Sequence, residues 1–301
     1  MPTKPLESIL YRDLSKAEAK EVINVASRLL QELVNYATNA LVRCAGSISG
    51  NVAKRDEHIA ILTLYRHIIE MTDGIEVLIS QSCVIPTIPL LRSSFEALLS
   101  MQYILEKDAE YTRRSFAWLV SWAHKRSDMY ERLDPSTLKG QEFKRLCDQD
   151  ETLSRVKMPP SPKAPKAIKN LQSIISKPHL KDVEKEYSSH KKIQNWYRLF
   201  GGPPDLRALA VHLKSGAQYD LLYRQWSTTA HAQDLLPVAR IGKGQAAIGK
   251  IRNPETMNRV ANFASSFILK ATRLILGKLR EGEPNFDKWY VEEVRDLYWR
   301  L

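Results

Sequence analysis

YDLLYRQWSTTAH, residues 219–231, decides how the chain is read. Read as a helix, Tyr219, Tyr223, Ser227 and His231 recur every four residues and form one polar stripe. Leu222, Trp226 and Ala230 form an apolar stripe about 80° away, at 100° per residue. Arg224 lies roughly 20° off the line of His231 and about 10 Å from it along the axis. A long arginine side chain closes much of that gap, so a phosphate held by Arg224 also reaches His231. A plainer reading stands beside this one. Asp220 and Arg224 then make an i,i+4 surface pair, and Ser227 and His231 satisfy each other inside a bundle.

The same helical period continues outward in both directions. Ser15 and Glu18 form a capping box ahead of a run from Ile23 to about Cys44. A second helix is predicted over 52–82, with Ile59, Leu62, Leu64, Ile68, Ile69, Ile75, Val77 and Leu78 on its apolar side and Gly74 loosening it midway. Pro86 and Pro89 start a third, IPLLRSSFEALLSMQYIL over 88–105. Its Arg92 and Glu96 are either a mutual surface pair or a pair aimed into a cleft, and burial decides between the two. A fourth helix spans 108–133, with Trp118 and Trp122 assigned to the core. Asp134-Pro135-Ser136 restarts the chain into a helix ending near Asp150.

MPPSPKAP, residues 158–165, reads as a linker. Between Lys157 and Lys192 there are nine lysines against Asp182, Glu184 and Glu186. The segment 155–192 is expected to be a basic, mobile insertion within one helical domain covering 1–301. Its lysines are either a solvated face or a sequence-independent phosphate surface, with Lys163, Lys166, Lys169, Lys191 and Lys192 the candidates. A Gly201–Pro204 turn and a short helix lead back to the opening stretch. Residues 235–252 read as a glycine-rich loop, with Lys243 and Lys250 as further phosphate contacts. Asn253-Pro254 caps a helix to about Leu279, and an amphipathic tail closes the chain. No stretch alternates convincingly over strand length. The expectation is an all-α, multi-helix bundle.

The formal charge of +11 favours anionic partners, nucleic acid first. Three separated cysteines, Cys44, Cys83 and Cys147, fit a reducing compartment. No apolar signal core begins the chain and no run is long enough to span a membrane, so a cytoplasmic protein without membrane contact is expected. Gly244 to Lys250, GQAAIGK, matches most of a P-loop. Ile251 stands where the Mg²⁺-binding hydroxyl belongs, and no strand is predicted before it. The seven histidines show no metal-ligand spacing. Neither a metal nor another cofactor is expected.

LLRSSFEALL over 90–99 and the run from Trp196 through LRALA to YDLLYRQWSTTAH resemble a widespread bacterial family of helical proteins known only as a domain of unknown function. Its Arg-x-x-x-Glu helix matches Arg92 and Glu96. Its spaced Tyr, Ser and His match Tyr219, Tyr223, Ser227 and His231. The resemblance covers about 51–232. A second resemblance is to the HEPN superfamily, helical bundles that are often metal-independent ribonucleases of toxin–antitoxin and phage-defence systems. Their signature, Arg then four to six residues then His, fits Arg224 with His231 and also Arg207 with His212. The first pair is preferred because it shares the stripe with Tyr223 and Ser227. His212 lies in an apolar run and reads as a core histidine.

What the second resemblance implies is an HEPN-like core and an RNA-cleaving site. His231 acts as acid and base, Arg224 holds the phosphate, Ser227 and Tyr223 orient them, and Arg92, Glu96 and Tyr219 support the site. It also implies a homodimer, since such sites form where protomers meet, and an antitoxin or other defence protein as partner. Two rival readings remain: a non-catalytic module that binds nucleic acid or protein, and a sensor with a small-ligand cleft.

Overall fold

The computed structural model describes residues 6–7, 9–16, 20–48, 50, 52–155, 163–190, 195–223, 239–242, 245–280 and 285–301. The architecture is all-α and multi-helix, with one small hairpin among the described residues. The chain forms two compact units, residues 1–107 with 206–301, and residues 108–205.

In the first unit four long helices pack together: α1 (Lys20–Ser47), α2 (Val52–Ser80), α3 (Ile88–Leu105) and, later in the chain, Met257–Leu279. Their apolar positions recur at helical spacing, and Leu29, Leu30, Leu33, Ile61, Ile68, Ile75, Leu91, Phe95 and Phe267 are fully buried. Tyr65 shares a 2.8 Å hydrogen bond with Thr272 inside this core. Burial pushes the Tyr65 phenol far above its ordinary pKa. The expected apolar side of α2 is only partly right. Ile59 and Val77 are exposed, while Glu76 is buried and bonded by Ser27 and Gln31 of α1. Gly74 does not break α2; a Cβ there would meet Leu90 Cδ1 at 3.2 Å, so it lets α3 approach closely. Of the predicted capping box, Glu18 lies outside the described residues.

In the second unit, α4 (Asp108–Arg132) packs against α5 (Leu138–Gln149), α6 (Ala164–Ile175), α7 (Lys181–Ser189) and the 3-10 segment Trp196–Gly201. Thr137 caps α5 by accepting from the Gly140 N–H at 3.0 Å. Gly140 is required there, since a Cβ would fall 1.8 Å from the Asp134 carbonyl oxygen. His124 of α4 stacks on Tyr187 of α7 at 4.3 Å and contacts Glu184 at 2.8 Å. The basic segment therefore contains two helices with a 3-10 turn, Pro178–Leu180, between them, and buried Ala164, Leu171, Leu180 and Val183. Most of the expected linker, residues 156–162, lies outside the described residues.

Two assignments are corrected. Trp118 is only half-buried and Trp122 is 41% exposed, so neither is a core residue. Ser115, Trp122 and Met129 are spaced by seven and share one line of α4; it is covered at Ser115 and open at the other two. The second correction concerns 235–252, expected to be a loop. It contains β1 (Ala239–Gly242) and β2 (Gln245–Ile248), antiparallel, with Ala239 opposite Ile248 and Gly242 opposite Gln245.

The chain between α7 and the hairpin returns to the first unit through α8 (Leu206–His212), α9 (Gly216–Gln218) and a π-helical turn, Tyr219–Tyr223. The long Met257–Leu279 helix is α10. It starts after an Asn253 turn, whose side chain accepts from the Glu255 N–H at 2.9 Å, three residues later than Pro254 suggests. The tail forms α11 (Asn285–Trp289), a π turn (Tyr290–Val294) and α12 (Arg295–Trp299). Trp289 fastens it to α1 by stacking on Tyr36 at 3.8 Å and donating to Glu32 at 2.7 Å.

Candidate functional site

The opening stretch begins as a π-helical turn rather than the expected α-helix. Its i→i+5 bonding widens the turn, a feature that recurs at functional sites. Leu222 is buried, as its place on the apolar stripe requires, and Tyr219 is half-buried. Arg224, Ser227 and His231 lie outside the described residues, as does the side chain of Tyr223. Asp220 pairs with Arg207 at 3.6 Å, which ties the π turn to α8.

On α3, the Arg92 guanidinium donates to Glu96 at 3.0 Å. The two side chains are 24% and 42% exposed, so the pair is half-buried rather than sunk in the core. Beside it, Ser93 Oγ lies 2.7 Å from His67 Nε2 of α2. Nothing in the sequence announces this pair, because its partners are twenty-six positions apart on separate helices. Geometrically it places a hydroxyl on an imidazole.

His212 is not a core histidine. It ends α8 with its side chain 39% exposed, and its Nε2 faces both Glu106 oxygens at 2.9 and 3.0 Å. The Tyr103 ring and the imidazole pack in a T-shape with centroids 5.8 Å apart. Five residues of helix put Arg207 and His212 about 140° apart, so α8 does not bring this second Arg–His pair together. Leu213 and Lys214 follow, and they line an open cleft of about 280 Å³ with Gln102, Leu105, Glu106, His212 and Leu274.

Among the proposed phosphate contacts, Lys163, Lys166, Lys169 and Lys250 are exposed. Lys191, Lys192 and Lys243 lie outside the described residues. The P-loop reading of 244–250 loses its loop, because the residues between its glycines form β2 and pair with β1.

A model of a family of unknown function, DUF5677, matches residues 58–237. The chain belongs to this family. The DUF5677 span runs from within α2 through the second unit to residue 237, past the opening stretch, and so contains both the Arg92–Glu96 pair and His231. No curated protein and no solved structure matches the chain. No helix among the described residues is long and apolar enough to cross a membrane.

Proposed function

We propose that this DUF5677 protein is a metal-independent endoribonuclease of a toxin or phage-defence system, with an HEPN-like core. The observation that carries the reading is the Arg224–His231 sequence spacing, with Tyr223 and Ser227 at four-residue steps before His231, inside the family span. His231 takes the proton from an RNA 2′-OH as its oxygen bonds to the adjacent phosphorus. The bond from phosphorus to the 5′ oxygen breaks, and that oxygen receives the proton. The products are a 2′,3′-cyclic phosphate and a 5′-hydroxyl. Arg224 stabilises the charge on the phosphoryl oxygens, Ser227 and Tyr223 orient the reacting groups, and Arg92, Glu96 and Tyr219 are positioning residues.

One observation favours a second reading. The exposed lysines of α6 suit a module that holds nucleic acid without cutting it, in company with a defence partner.

Wild type and His231→Ala are expressed in bacteria, and the purified chains are incubated with RNA in EDTA. The ribonuclease reading expects growth arrest and RNA fragments with 2′,3′-cyclic phosphate ends from wild type only. Equal cleavage by the folded mutant ends that reading. Salt-sensitive RNA binding by both chains without cleavage supports the binding module.

A further inference from the structure

We propose that the cleft at the end of α8 binds a compact organic monoanion: one carboxylate or phosphodiester group carried on an apolar body. This site is separate from the His231 reading and does not depend on it.

Three features converge. Leu105, Leu213 and Leu274 give the 280 Å³ cleft apolar lining, and Gln102 adds an amide. Glu106 directs both oxygens at His212 Nε2, so its carboxylate already has a partner within the lining. Lys214 is the one lysine or arginine among the lining residues, which matches a ligand with a single anionic group better than a dianion.

The third feature is the backbone of Lys214. Its φ is +57°, in the left-handed region. The Ser215 N–H bonds to the Ala210 carbonyl at 2.7 Å and the Lys214 N–H to the Val211 carbonyl at 3.0 Å. That is the helix ending in which glycine normally occupies the left-handed position. A lysine there is strained relative to glycine. Strain kept at a residue that lines a cleft points to use of the side chain.

Isothermal titration of the full chain tests this with four probes: 3′,5′-cyclic AMP, phenylacetate, and their uncharged counterparts adenosine and phenylacetamide. The expected result is binding of at least one anion at about millimolar Kd or better, with its neutral counterpart at least about tenfold weaker. Which anion binds separates phosphodiester from carboxylate. Lys214→Gly and Lys214→Asn, both at home in the left-handed conformation, are expected to weaken the anion at least about tenfold. Their melting temperatures stay at or above wild type, because the strain is relieved. The proposal is overturned if neither anion binds, if the neutral probes bind as well, or if either folded variant binds undiminished.

Discussion

His58 shows how one side chain sets a pH dependence. It stands on α2, four residues from Lys54 and 3.4 Å from Glu57. Burial is the largest influence and disfavours the imidazolium; Lys54 and Lys278 push the same way, and Glu57 opposes them. Its pKa in the folded chain therefore lies below the ordinary 6.5. The unfolded chain binds the proton more readily, so stability is complete above pH 6.5 and falls as pH drops through that value. Thermal unfolding at intervals from pH 7.5 to 5.5 should show a falling midpoint that is flatter in His58→Gln; parallel curves for the two chains would remove His58 as the cause. Single residues of this kind are the least legible in the sequence. His212 reads as core because Leu209, Ala210 and Leu213 surround it, yet Glu106, from the end of α3, draws it to the surface. The Ser93–His67 contact is invisible for the same reason. Periodicity reports which face of a helix is apolar, but not which distant polar group meets it.

Elements were far more legible, and α6 shows both the strength and the use of that reading. Setting Lys163 at 0°, buried Ala164 and Leu171 fall near 100° and 80°, while Lys166 and Lys169 fall near 300° and 240°. The apolar edge packs on α4, and Lys166 and Lys169 lie on the opposite side. If that face contacts RNA phosphates, each lysine contributes about 0.7 to the slope of log affinity against log salt for a single strand. Changing Lys163, Lys166 and Lys169 to Gln in a His231→Ala chain should lower the slope by about 2, with folding retained because all three are exposed. Filter binding between 50 and 300 mM salt reads this, and an unchanged slope would place the contact elsewhere. The bounds of α3 agree with the sequence because Pro86 and Pro89 mark its start physically. The hairpin was missed because its strands are only four residues long and Gln245–Ile248 does not alternate, although Gly242 precedes, and Gly244 belongs to, the two-residue connection 243–244. Trp122 was missed because the buried face of α4 changes along its length, which a single helical wheel does not show.

At the scale of the whole molecule, family membership and helical class were readable, since both rest on long periodic segments and on the Arg92–Glu96 and Tyr–Ser–His spacings. The division into two compact units was not, because it depends on which helices choose which neighbours. The ribonuclease reading adds a claim at this scale, a homodimer with its site shared between protomers. Each chain carries +11, so two copies repel unless the interface avoids the lysine faces. Salt screens that repulsion. Dimerisation should therefore strengthen as salt rises, while RNA binding weakens through counterion retention. The opposite slopes separate the two surfaces in one experiment. Light scattering at about 0.1 and 0.5 M salt, on either side of the ionic strength where screening falls within a few ångströms of contact, should report a mass approaching twice 34.5 kDa, more completely at the higher salt. A mass of 34.5 kDa at both would exclude a shared site. Any cleavage lost in His231→Ala would then have to arise within one chain, with Arg224 and His231 contributed by the same copy.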